Sequence, residues 1–250
     1  MPISVYELAR TIDHALLTPT ATTQDITKAC LMGVDKRIAS VCVRPSDVVL
    51  AASLLAGSET RTGTVLGFPH GTTSTAGKAA EARQAIEDGA AELDMVLNIG
   101  RLLSGDLVYV EKDVATISQL AHQHGLLLKV IFETCFLSRE QKIAACEISS
   151  RAGADFVKTS TGFASGGATL ADICLMRDHT PPGMGIKASG GIRDLDTMLA
   201  MMACGATRIG TSSTEILLAE AQIRSDSGSL ERLTYEEASN RSTGLNNVSY

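Results

Sequence analysis

The chain has 250 residues, a formal net charge of −6, 44% hydrophobic and 20% charged residues, a composition that points to a globular protein with one large core or two modest ones. The acidic balance and the absence of tryptophan argue against a nucleic-acid surface, which needs basic stripes and stacking platforms. No apolar run reaches the roughly 20 residues of a membrane span, the opening "MPISVYELARTIDH" lacks an apolar signal core, and six cysteines (Cys30, Cys42, Cys135, Cys146, Cys174, Cys204) without CxxC spacing read as reduced thiols of a cytoplasmic protein.

In chain order, the apolar runs are "TIDHALL" from Thr11, "GVDKRIASVCV" from Gly33, "GTVLGF" from Gly63 and "GAAELDMVLN" from Gly89. After these come "LLLKVIF" from Leu126, "GADFVKTS" from Gly153, "GMGIKAS" from Gly183 and "GATRIGTS" from Gly205. Amphipathic stretches lie between them, for example 75–88 and 107–122, where helices are expected. Gly33, Gly89, Gly153 and Gly205 each precede a run, as left-handed caps that end a helix and turn the chain back. They recur every 52 to 64 residues, the length of two strand–helix units. Eight strands that are apolar throughout and alternate with helices imply a parallel sheet covered by helices. In about 220 residues that is a (β/α)8 barrel, a single domain over 1–225. An open doubly wound sheet is the rival, weakened because no GxGxxG follows the first strand. The stretch after 225, "DSGSLERLTYEEASNRSTGLNNVSY", is polar, so 226–250 is expected to be a mobile tail with some helix near its start.

Three lysines break the apolar pattern at intervals of 29 residues: Lys129 in "LLLKVIF", Lys158 in "DFVKTSTG" and Lys187 in "GMGIKASGG". They fall on successive strands 5, 6 and 7, with Lys129 deeper because apolar residues follow it. Asp94 in "ELDMVLN" joins them from strand 4. In a barrel they converge near the C-terminal mouth, where this fold does its chemistry. A lysine becomes a nucleophile only when its amine is neutral, and bringing its pKa from 10.4 to about 7 takes roughly 4 to 5 kcal/mol. A second ammonium about 5 Å away supplies about 3 kcal/mol at an effective dielectric near 20, and partial burial can supply the rest. A lone strand lysine is more often ion-paired or snorkelled. Three lysines against few inward carboxylates fit pairing poorly and fit Schiff-base chemistry better. The spacing does not say which amine attacks.

Two glycine-rich loops follow. "KASGGIRD" puts Gly190 and Gly191 before a helix, and "RIGTSSTE" puts Gly210, Thr211, Ser212 and Ser213 before the next. Backbone amides at helix starts cradle phosphate, and in this barrel the loops after strands 7 and 8 are the usual place. Alternatively, the glycines make a turn and a serine caps a helix. Asp13 and His14 in strand 1 and His70 in "LGFPHG" are weaker candidates for the mouth, and His70 reads more simply as a loop residue. His122 and His124 do not share a helical face, and no HExxH or acidic triplet appears, so no metal is expected.

Together, "IDHALLTPTAT", "SVCVRPSDV", "VLGFPHG", "ELDMVLNIG", "LKVIFETCFL", "GADFVKTSTGF", "GIKASGGIRD" and "RIGTSS" resemble the deoxyribose-phosphate aldolase family of class I aldolases, over residues 11–215. The resemblance implies reversible cleavage of 2-deoxy-D-ribose 5-phosphate to D-glyceraldehyde 3-phosphate and acetaldehyde, with no cofactor, in deoxynucleotide catabolism. It implies Lys158 as the Schiff-base lysine, Lys187 as the neighbour that depresses its pKa and moves protons, Asp94 in proton transfer and Lys129 in support. Phosphate contacts would fall on Gly190, Gly191, Ser212 and Ser213, and further substrate contacts on Thr161, Asp13 and Cys42. Tyr250, at the end of the tail, is a candidate proton donor at the enamine step. Thr18 stands where relatives often have lysine and Arg44 where they often have asparagine, which bears on what the mouth accepts. The expected partners are small phosphosugars and aldehydes, and a second copy of the chain in a dimer or tetramer. A phosphosugar isomerase on the same barrel and a non-catalytic phosphate-binding module are the rival readings.

Overall fold

A computed structural model describes residues 2–238; Tyr250 lies outside the described residues. Eight parallel strands close into a barrel in sequence order: β1 (Ile12–Leu16), β2 (Ser40–Val43), β3 (Arg61–Leu66), β4 (Glu92–Val96), β5 (Leu127–Ile131), β6 (Phe156–Lys158), β7 (Gly185–Ser189) and β8 (Arg208–Thr211). The closing pair is β1 with β8, in register at Asp13 and Gly210. The helices are α1 (Val5–Ala9), α2 (Thr23–Lys36), α3 (Val48–Leu55), α4 (Thr75–Glu87), α5 (Ile99–Leu103), α6 (Leu107–Gln123), α7 (Arg139–Arg151), α8 (Leu170–Asp178), α9 (Leu195–Ala203) and α10 (Thr214–Asp226). Closure leaves no sheet edge, which disposes of the open-sheet alternative.

Local chemistry sets the boundaries. Capping boxes start α1 (Ser4, Glu7), α2 (Thr22, Asp25) and α7 (Ser138, Gln141), each satisfying two otherwise orphaned amides. Gly89, Gly153 and Gly205 follow their helices at φ of 98°, 79° and 110°, as caps require. Gly33 corrects the expectation. It lies inside α2, which runs on to Lys36, and Arg37 takes the left-handed cap at φ 53°. Packing explains that glycine: a Cβ there would come within 2.7 Å of Val41 Cγ2 on β2.

The strands bury both faces, but not with the same chemistry. Leu93, Leu128, Val130, Val157, Ile186 and Ile209 pack outward against the helices. The alternate positions, turned into the barrel, carry Asp13, Ser40, Glu92, Asp94, Lys129, Lys158, Lys187 and Arg208. The expected apolar strands are thus apolar on one side and ionic on the other. Beyond α10, Leu230 and Ala238 are buried and Glu231 bridges Pro2, so part of the stretch after 225 packs against the barrel.

Candidate functional site

Strand register explains how the lysines meet. Lys158 and Lys187 are direct partners across β6 and β7. Lys129 pairs with Asp94 on one side and Phe156 on the other, so it sits one inward position below Lys158, whose partner on β5 is Ile131. Equal spacing in sequence therefore gives two amines at one level and a third beneath them.

Their contacts differ in number. Lys129 Nζ lies 2.6 Å from Glu92 Oε2, 2.8 Å from Asp94 Oδ1 and 3.4 Å from Asp13 Oδ2. Lys187 Nζ is 2.6 Å from Asp13 Oδ2 and 2.7 Å from Asp94 Oδ2. Lys158 Nζ reaches a single carboxylate, Asp94 Oδ2, at 2.7 Å. Both upper amines donate to that same oxygen, which keeps them within two hydrogen-bond lengths of each other. Arg208 Nη1 closes the network below, 2.6 Å from Asp13 Oδ1 and 3.1 Å from Glu92 Oε2, with Ser40 Oγ donating to Asp13 at 2.6 Å. Four cations thus face three carboxylates inside the barrel, where charge must be paired to be tolerated.

The titration of these groups follows their surroundings. Burial pulls the Lys158 amine below its ordinary value, Asp94 opposes that, and the Lys187 ammonium adds to it. Burial thus ranks above the neighbouring ammonium, the reverse of the weighting expected from spacing. Lys187 is also pulled down by burial, but Asp13 and Asp94 outweigh that and hold it above its ordinary value. Lys129 is held well above by Asp13, Asp94 and Glu92, against burial. Burial alone would raise the Asp94 carboxyl, yet Lys129, Lys158 and Lys187 keep it well below the carboxylate range, and Asp13 is lowered likewise by Lys129, Lys187 and Arg208.

Above the lysines, a cavity of about 360 Å³ opens at the C-terminal end of the barrel. Lys158, Lys187 and Ser189 line it, with Leu16 at the end of β1, Leu17 and Thr18 from the loop that follows, Thr161 to Phe163 from the loop after β6, and Gly190, Gly191, Arg193, Gly210 and Ser212. Gly190 and Gly191 both have positive φ, 93° and 79°, and a Cβ on Gly190 would meet Gly167 Cα at 2.9 Å. Ser213 stands behind this wall, its N–H donating to Thr211 Oγ1 at 2.9 Å, and its side chain does not cap α10.

Not every expected residue reaches the cavity. Asp94, Lys129, Asp13 and Cys42 lie beneath its floor rather than on its wall, and burial pushes the Cys42 thiol up to about 11. His14 points the opposite way from Asp13, toward α10, where its Nδ1 is 2.9 Å from Thr214 Oγ1. His70 is an exposed loop residue. Arg44 is a clamp, not a wall: it bonds the carbonyls of Thr18, Pro19 and Ala21 and the Asp47 carboxylate. Among the described residues no group of three or more His, Cys, Asp or Glu is arranged to hold a metal ion.

Three further groups belong to the site and were not singled out from sequence. Glu92 precedes Asp94 by two, and Arg208 precedes Gly210 by two, so strand alternation carried the signal. Glu133, buried at the end of β5, accepts hydrogen bonds from the Thr161 N–H and from the Thr161 hydroxyl, and so holds the loop that follows Lys158. Burial raises its carboxyl above the ordinary value, against the hydrogen bonds from Thr161.

Comparison with known proteins shows the family and the fold. The sequence profile of the DeoC/LacD family aldolases matches residues 8–215. The chain is 54% identical to a deoxyribose-phosphate aldolase of Brevibacillus brevis over 202 residues, 81% of this chain and 90% of the relative. It is 51% identical to one from Thermococcus gammatolerans over 209 residues, 83% of this chain and 93% of the relative. The structure superimposes on the tetrameric deoxyribose phosphate aldolase of Aeropyrum pernix with a TM-score of 0.82 at 34% identity, covering 88% of this chain and 92% of that one.

Proposed function

The chain belongs to the DeoC/LacD family of aldolases, and on that premise we propose that Lys158 is the amine through which it works. The enzyme is a class I aldolase that reversibly cleaves 2-deoxy-D-ribose 5-phosphate to D-glyceraldehyde 3-phosphate and acetaldehyde. One observation carries the assignment of the amine: of the three interior lysines, Lys158 has the fewest carboxylate partners, and it lines the cavity. Deprotonating it costs least, and its neutral amine faces the space a substrate enters.

The steps follow from that placement. The Lys158 amine attacks the C1 aldehyde of the open-chain sugar to give a carbinolamine, which loses water to form an iminium. A base removes the proton of the C3 hydroxyl, the C2–C3 bond breaks, and its electron pair flows into the iminium to give an enamine. C3 leaves as the aldehyde of D-glyceraldehyde 3-phosphate. Protonation of the enamine at C2 regenerates an iminium, and water releases acetaldehyde and the free amine. Lys187, on the cavity wall and held charged by Asp13 and Asp94, is the group placed to give and retake protons through water. Asp94 stays ionised, so its part is to orient both amines and balance their charge. Lys129 supports it from below.

The phosphate is read as sitting at the wall made by Gly190, Gly191 and Ser212, where two left-handed glycines let backbone approach an anion closely. Thr161 is read as a contact for the sugar. Free thiols at all six cysteines support a reducing, cytoplasmic setting, where this reaction serves deoxynucleoside breakdown. Exposed Leu31, Val49, Val108, Ile216 and Ile223 and the tetrameric relative support a homo-oligomer, which light scattering of the purified protein would test. No described helix is long and apolar enough to cross a membrane.

The activity test is direct. Purified protein given 2-deoxy-D-ribose 5-phosphate should release glyceraldehyde 3-phosphate, read by a coupled dehydrogenase, and lose this with Lys158→Met. Turnover that survives Lys158→Met would transfer the role to Lys187.

A further inference from the structure

We propose that Arg208 and Glu92, on the barrel floor, are positioning residues that set the proton occupancy of Lys158 without touching substrate. The inference rests on Lys158 as the imine-forming amine. Neither residue lines the cavity. Arg208 packs over the Phe156 ring at 5.3 Å and spends its Nη1 on Asp13 and Glu92. Beside Asp94, which contacts both lysines, Asp13 also holds Lys187 and Glu92 also holds Lys129. The ionic circuit therefore reaches Lys158 by two routes: Arg208–Asp13–Lys187–Asp94–Lys158 and Arg208–Glu92–Lys129–Asp94–Lys158.

Charge count gives the circuit its consequence. With Arg208, Lys129, Lys158 and Lys187 all charged, four cations face Asp13, Glu92 and Asp94. Loss of one proton makes this ion-pair network neutral, and Lys158, with a single carboxylate partner in it, is the amine that gives it up. The groups facing Lys158 are Asp94 from β4, Lys187 from β7, Cys42 from β2, and Glu133 after β5. Those facing Arg208 are Asp13 from β1, Glu92 from β4, and Lys129 from β5, with Phe156 of β6 beneath it and Lys187 its register partner on β7. Removing Glu92 leaves a larger positive surplus and makes the Lys158 ammonium harder to keep. Removing Arg208 leaves three cations for three carboxylates and makes that ammonium easier to keep.

The test is the pH dependence of kcat/KM for 2-deoxy-D-ribose 5-phosphate in the full chain, with Glu92→Gln, Arg208→Gln, the double variant and Arg208→Lys. The limb that rises with pH as Lys158 loses its proton should move to lower pH in Glu92→Gln and to higher pH in Arg208→Gln, each on the order of one pH unit, or tenfold in rate on the limb. The double variant and Arg208→Lys should return toward the parent. Variants that lose rate in proportion to folded protein, with the limb unmoved, would overturn the proposal, because a purely structural role predicts that. If Arg208→Gln does not fold, Glu92→Gln decides alone: a limb moved to lower pH supports the proposal, and one unmoved or moved upward ends it. Borohydride trapping with acetaldehyde on the parent separates the two layers. An adduct on Lys158 with unmoved limbs sinks only this inference, while no adduct removes the assignment beneath it.

Discussion

Lys158 and Lys187 share one carboxylate oxygen and one strand level, and differ in what else they touch. In the proposed mechanism that difference, not the residue type, separates nucleophile from proton carrier. Lys158→Arg keeps a cation over Asp94 but removes any accessible neutral amine, so kcat should fall by at least about 10⁴-fold while the folded fraction changes little. Steady-state kinetics beside a thermal melt reads both. Glu133 works at the same scale by another route. It is a non-glycine residue at φ 56°, buried, with its carboxylate given to the Thr161 amide and hydroxyl. Glu133→Ala strands those donors, at a cost of about 1–3 kcal/mol, and should loosen the loop that carries Phe163 across the mouth. The expected result is a KM raised about tenfold with a smaller fall in kcat, and near-parental KM in Glu133→Gln, which keeps an acceptor. Equal damage from both variants would contradict this reading of Glu133.

Among the elements, β7 and the loop after it would tie the proposed chemistry to the proposed phosphate site, with Lys187 on the strand and Gly190 and Gly191 just beyond. Gly190→Ala must accept both a left-handed φ and a contact of 2.9 Å with Gly167 Cα. It should therefore raise KM for the phosphorylated sugar about tenfold or more and barely alter kcat/KM for unphosphorylated 2-deoxyribose, since each lost phosphate contact costs on the order of 1–2 kcal/mol. On the outer side, Lys78 of α4 is fully buried against Asp113 of α6 at 2.6 Å and the Val96 carbonyl at 2.8 Å, clamping two helices to the end of β4. Lys78→Ala strands a buried carboxylate and should lower stability by about 3–5 kcal/mol, read in urea unfolding.

The strands, the ends of α4 and α6, and the glycine caps after α4, α7 and α9 were legible, because apolar runs and glycines are local signals. Gly33 misled because a glycine needed for a close contact with Val41 looks in sequence like one needed for a cap. The equal lysine spacing announced a cluster. The depth of Lys129 was also legible, from the apolar residues that follow it, and the register of the closed sheet sets it one inward position below Lys158.

For the whole molecule, the consequence is a barrel whose interior is held by ions rather than by aliphatic layers. Asp13 and Asp94 have folded values below their ordinary 3.8. Stability from them is present above that value and is lost as pH falls toward and below it, when the unfolded chain takes up protons the folded one refuses. Lys129 and Lys187 are held above 10.5, so their contribution is present below that value and fades only at higher pH. Lys158 has the opposite sign: its folded value lies below 10.5, so it costs stability below that folded value and returns it as pH rises toward 10.5. Thermal melting across pH should therefore show a steep acid loss below about pH 4. This ionic interior was only partly legible. Asp94 and the lysines stand out in apolar runs, but Glu92 and Arg208 lie at strand starts, where charge is commonplace, and only their two-residue offset from Asp94 and Gly210 marks the inward face. The most direct test of the account is borohydride reduction in the presence of acetaldehyde, followed by peptide mass mapping of the whole chain. The account predicts a two-carbon adduct on Lys158 and none on Lys129. An adduct on Lys187 in its place, or none on a folded protein that binds the phosphosugar, would contradict it.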